Sequence, residues 1–177
     1  MTESSRFDLL RHFLAALAYR TQKALRDAPP TFPDFRVAAS VRTPHELIWH
    51  MTGVIGYAVT RFRGTTWRPD RLDSFEDEVR RFHSTLSELA THLGAGDAPA
   101  DTTAEQLLQG PLADAMTHAG QLAMLRRLEG TPVPPENFLL ADIRTERSSA
   151  AAPPTAVSEP VSASCPFTGG PEGVQED

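Results

Sequence analysis

Asp114 and His118 stand four residues apart in PLADAMTHAGQLAMLRRLEG, and His50 stands in the earlier stretch ELIWHM. Residues at i and i+4 of a helix stack one turn above the other. A carboxylate and an imidazole at that spacing, joined by a second imidazole from a neighbouring helix, form a ligand set suited to zinc, nickel, iron or manganese. Three protein ligands leave an open position, where a metal acidifies a coordinated water or thiol. All three residues are expected to point into a helical core. Leu107, Pro111, Leu122 and Leu125 share the face of Asp114 and His118, and Leu47, Val54 and Tyr57 share the stripe of His50. Buried polar groups need partners, and one divalent ion would satisfy all three. The rival arrangement is a buried Asp–His hydrogen bond that merely holds two helices in register.

Histidine ligands usually give their second ring nitrogen to an acceptor. Glu46, one turn before His50, and Gln121, beside His118, are the candidates. Tyr57, Gln121 and Trp49 are the candidate substrate-binding residues, since each lies within a turn or two of a proposed ligand. The other histidines are not expected to ligate: His12, His45 and His92 are read as outward-facing and His83 as a boundary residue. Arg61 is expected to snorkel to solvent, and Arg126 and Arg127 to solvate an outer face. Ile48 and Ile55 fall off the inward stripe of their helix, and an exposed apolar row of this kind suggests a homodimer interface.

Four amphipathic segments must position these groups. The first runs from Ser5 to Arg26 on the stripe Phe7, Leu10, Leu14, Leu17, Thr21, Leu25, a spacing of three and four. The second opens at Thr43, with Pro44 at the first helical position and Glu46 completing a capping box, and closes at Gly64. The third starts at Ser74 with three acids in its first turn and carries Phe75, Val79, Phe82, Leu86, Leu89 and Leu93. The fourth spans Thr103 to Gly130 with Pro111 inside it, so a kink or a split into a short and a long piece is expected. Phe138, Leu139 and Ile143 could pack back on the helices. No strand pattern and no internal repeat is visible, and the architecture predicted is an all-α four-helix bundle over residues 1–143. Residues 144–177 are rich in Ala, Pro, Ser, Thr and Gly and are expected to be disordered.

The chain has 177 residues and a formal net charge of −6, enough for one domain with a real core. Lys23 is the only lysine, and no basic stripe is available to meet phosphates, so a nucleic-acid partner is not expected. Cys165 is the only cysteine, so no intramolecular disulfide can form. Its Cys-Pro dipeptide resembles a haem-regulatory pattern, but no second ligand is in view and haem is not expected. Arg11, His12 and Arg20 interrupt the apolar N-terminal stretch, no segment has the length of a membrane span, and a soluble cytoplasmic protein is expected.

The strings THAGQLAMLRRLEG, with Asp114 one turn before the histidine, and TPHELIWHM together resemble the DinB/YfiT-like superfamily over residues 5–143. That resemblance implies a four-helix bundle with a metal site at one end. Many members use three histidines, one from the second helix and two spaced by four on the last. His50 and His118 match two of them, and Asp114 stands where the other would be. Some members are transferases or isomerases that use mycothiol, bacillithiol or glutathione as a low-molecular-weight thiol, the metal activating it; others resemble metal-dependent hydrolases. The resemblance therefore implies a metal-dependent enzyme acting on a small-molecule substrate, such as a thiol-dependent S-transferase. The alternative is a non-catalytic bundle, with a structural or vestigial site, that works through association.

Overall fold

The first four α-helices begin where a hydroxyl side chain can take up free backbone N–H groups. In a computed structural model describing residues 2–145, Thr2, Thr43, Ser74 and Thr103 cap helices α1 (Glu3–Leu25), α2 (Pro44–Arg63), α3 (Phe75–Ala95) and α4 (Ala104–Leu107). Full capping boxes form at Thr43 with Glu46 and at Thr103 with Gln106. Gly64 and Gly96 close α2 and α3 at φ of 66° and 73°, a region that glycine enters without a Cβ clash. After α4 the chain makes a π turn, Leu108–Leu112, and continues as α5 (Ala113–Leu128). Pro111 sits in that turn. A proline has no N–H to continue an α ladder, and the wider turn absorbs the defect. The fourth segment is thus split into a short and a long piece, as its proline implies.

Cross-helix contacts set the directions. Arg6 meets Glu105 and Arg126 bonds the carbonyl of Ala24, so α1 runs the same way as α4 and α5. Thr52 meets Glu78 and Arg63 meets Glu88, so α2 and α3 are parallel. Arg61 meets Thr102 while His50 meets Asp114, so α2 runs against α5. The order is up, down, down, up. Two consecutive parallel helices require a connection that returns along the bundle. Residues 64–74 supply it, since such a segment reaches roughly 36 Å when extended against about 30 Å for a 20-residue helix. This crossover is pinned at four points. Trp67 lies on Gly56, where a Cβ would stand 2.3 Å from its Nε1. Trp49 Nε1 donates to the Pro69 carbonyl at 3.0 Å. Arg81 Nη2 donates to the carbonyl of Asp70 at 2.9 Å, and the buried Glu78 carboxylate accepts from Leu72 N at 3.1 Å.

The core is built from Leu14, Leu17, Ile48, Met51, Ile55, Phe82, Leu86, Leu89 and Leu122, all fully buried. All regular structure among the described residues is helical, and no described helix is long and apolar enough to cross a membrane. The stripes expected for α1 and α3 are inward, though Leu25, Phe75 and Val79 are only partly covered. The phase expected for α2 is corrected. Ile48 and Ile55 are 0 % exposed, whereas Tyr57 is exposed. Because α2 packs on α3, α5, the π turn and the Phe32–Asp34 turn together, its buried arc extends past the Leu47–Val54 stripe to the adjacent ridge. The row offered as a dimer interface is therefore core. Of the returning segment, Phe138 packs under Arg20 and edge-on to Tyr19, while Leu139 stays exposed. The tail expected to be disordered, and Cys165 in it, lie outside the described residues beyond Thr145.

Candidate metal centre

The π turn decides where α5 begins and so which way its first residues face. His118 is buried against α2, and Asp114, one turn earlier, lies at the rim. His50 projects from α2 across the same gap, half-buried. The two imidazoles meet edge to face, ring centres 4.7 Å apart. The carboxylate bridges them: Asp114 Oδ1 lies 3.3 Å from His118 Nε2, and Oδ2 lies 3.6 Å from His50 Nε2. The ligand atoms of the three residues all fall within 4.8 Å of one another. Ligands held roughly 2.0–2.2 Å from one ion stand about 3.0–3.4 Å apart, so the donor set fits a divalent metal with small adjustment.

The tautomer of His118 follows from its outer contact. Its Nδ1 lies 2.8 Å from Gln121 Oε1. An amide oxygen only accepts, so Nδ1 donates to it, and in the neutral imidazole Nε2 then presents a lone pair. That lone pair faces a carboxylate oxygen. Neither Asp–His contact has the 2.7–2.9 Å length of a charge-assisted hydrogen bond. With a neutral ring two acceptors face one another, an arrangement suited to a cation between them. Burial is the main influence holding the His50 pKa below the usual imidazole value, with Arg42 and His118 adding to it and Asp114 opposing. His50 is thereby kept in the neutral form that ligates.

Several expectations need correction. Asp114 is not buried; its side chain is 47 % exposed, because α5 turns its first residues toward an open cleft rather than toward α1. His45 is buried, edge-on to Phe75 with Nε2 unpartnered, not outward. His92 is half-buried, stacked on Phe62 and paired with Asp97. His83 is fully inside, its Nδ1 unpartnered and its pKa pushed down to about 4 by burial. Arg126 is core rather than outer face, whereas His12 and Arg127 are exposed as expected. Arg61 binds Thr102 Oγ1 and the Ala100 carbonyl instead of snorkelling. Glu46 serves its capping box and Arg36 and does not reach His50. Gln121 does meet His118, which takes it away from the cleft.

The cleft has a volume of about 1110 Å³ and runs between α2, the crossover and the π turn. His50 and Asp114 line it together with Trp49, Tyr57 and Trp67. Trp49 and Tyr57 are thus where a substrate-binding role needs them. Trp67, Arg68 and Gly53 also line it and were missed by sequence reasoning. No local signal marked them: they stand in the cleft because α2 and α3 run in parallel, which sends TTWRPD across one face of α2. In comparisons with known proteins, no family model, no curated protein and no solved structure matched the chain.

Proposed function

We propose that His50, Asp114 and His118 hold a divalent metal beside the cleft, and that the protein is a metal-dependent enzyme of DinB-like type. The observation that carries this reading is the convergence of three ligating groups: His118 Nε2, a carboxylate and a second imidazole lie within 4.8 Å of one another. A metal bound there supplies Lewis acidity, lowering the pKa of a coordinated thiol or water. Asp114 uses both oxygens toward the histidines and sits at the rim, so the centre is open on the cleft side. A purely structural site would be closed by four protein ligands. Gln121 sets the ring of His118 and its tautomer. Tyr57 presents a phenol to the cleft and Trp49 a flat apolar wall, so a substrate can be oriented while its reactive end approaches the triad. Within this class, transfer by a low-molecular-weight thiol such as mycothiol is the favoured reaction. It rests on the resemblance of THAGQLAMLRRLEG and TPHELIWHM to that superfamily, and the open three-ligand site is compatible with it.

The test is elemental analysis by mass spectrometry on protein purified without a histidine tag, beside His50→Ala/His118→Ala. Near-stoichiometric metal that is lost in the double variant supports the centre and opens a screen of thiols against electrophiles. Absence of metal in both, with no thermal shift on adding zinc or nickel, rejects it.

A further inference from the structure

Gly53 is a glycine that the fold does not use. It lies in the interior of α2, where glycine is destabilising relative to alanine. A Cβ built on it meets nothing within 4 Å. Gly56, three residues on, is the opposite case, because Trp67 occupies the space of its Cβ. The bareness of Gly53 therefore faces outward, into the cleft. Its neighbours on the same ridge are Trp49, one turn before, and Tyr57, one turn after. They are 39 % and 57 % exposed. The result is a notch with a glycine floor between two aromatic side chains, beside His50. Trp49 is held in place by its bond to Pro69, so that flank is fixed before a ligand arrives. Across the cleft, the crossover contributes Arg68, an exposed cation with no ion pair or hydrogen bond among the described residues.

We propose that the notch binds a small aromatic carboxylate, its ring over Gly53 between Trp49 and Tyr57 and its carboxylate on Arg68. Flat rings gain from offset or edge contacts with aromatic walls, and a guanidinium offers a carboxylate two parallel donors. Two carboxylates of the lining oppose the anion, Asp114 at the triad and Asp70 on the same wall as Arg68, so the nearer of them to Arg68, Asp70, must weaken binding. The assignment deepens the preceding reading by naming the substrate class, since the bound ring lies beside the triad.

The experiment measures benzoate, benzyl alcohol and acetate binding by ligand-detected NMR on the full chain, with metal content determined on the same samples. Benzoate is expected to bind most tightly. Gly53→Val weakens both aromatic ligands about tenfold, and Gly53→Ala weakens them less while melting no lower than the parent. Arg68→Gln weakens benzoate by about tenfold and leaves benzyl alcohol unchanged. Asp70→Asn moves benzoate the other way. Benzoate affinity that is indifferent to Gly53→Val, or to Arg68→Gln because the carboxylate sits on the triad instead, overturns the proposal. Metal bound without this pattern rejects the notch alone; the pattern without metal rejects the metal centre alone.

Discussion

Helix α5 carries a polar group near each end, and the two are treated in opposite ways. Near its C-terminus Arg126 is 4 % exposed, and each nitrogen of its guanidinium finds an oxygen. Nη1 takes the carbonyls of Ala24 and Arg26, Nη2 that of Asp27, and Nε both oxygens of Thr131. These partners end α1, where Asp27 is held at a left-handed φ of 53°. The next turn of chain is tied down alongside, with Glu136 accepting from Lys23 and from Tyr19 at 2.6 Å. Burial raises the Tyr19 pKa to about 12, and Glu136 adds to the rise. Near the N-terminus of α5, Asp114 stands 3.3 Å from His118 and 3.6 Å from His50, with a cleft beyond. A polar group that serves the fold is closed by protein atoms. One that serves a ligand is left short of them.

The strongest way to test that contrast is Arg126→Met. It strands buried carbonyls and releases the strained turn at Asp27, and should cost about 3–4 kcal/mol in urea unfolding with metal content unchanged. Loss of metal together with stability would merge the two regions into one. Acid probes an intermediate case, His83, an imidazole buried without a partner on Nδ1. Its folded pKa of about 4 lies below the ordinary imidazole value of 6.5, so the unfolded chain takes up the proton first. Stability is unaffected above pH 6.5 and falls as pH drops toward 4, by about 3 kcal/mol in all. His83→Leu should flatten that window in a pH series of melts. At the open end, metal at a hundredfold excess over its Kd should stabilise the native state by about 2.7 kcal/mol, an increment that His118→Ala abolishes and Arg126→Met retains. The smallest effect is that of Gly53→Ala, which should raise stability by about 0.5–1 kcal/mol in thermal melts while impairing the cleft.

How far these regions could be read in advance follows from the range of the forces involved. The capping box at Thr43, the helix start at Thr103, the stop at Gly64 and the break at Pro111 depend on neighbours a few residues away, and each stands where the chain announces it. Asp114 and His118 share a face for the same reason, and Gln121 falls one turn from the ring it holds. The stripes of α1 and α3 were legible because each presents one unambiguous apolar row. On α2 there are two such rows, Leu47–Val54 and Ile48–Ile55, and periodicity alone does not rank them. The packing of α3 and α5 did so, placing Ile48 and Ile55 inside and Tyr57 in the cleft. The same packing put Asp114 at a rim rather than in the core.

By itself, the sequence determined the helices, their ends and the pairing of an aspartate with a histidine on one of them, because hydrogen bonds within a turn and a 3.6-residue repeat are local. Only the tertiary structure decided that α2 and α3 run in parallel, that residues 64–74 therefore cross α2 and wall a cleft, and that His50 meets the pair from the far side. It also decided that Arg126, indistinguishable from Arg127 as a residue type, is the one that closes the fold. These outcomes depend on contacts between residues tens of positions apart, where burial and the demand that every enclosed polar group find a partner choose among faces that the chain leaves equivalent.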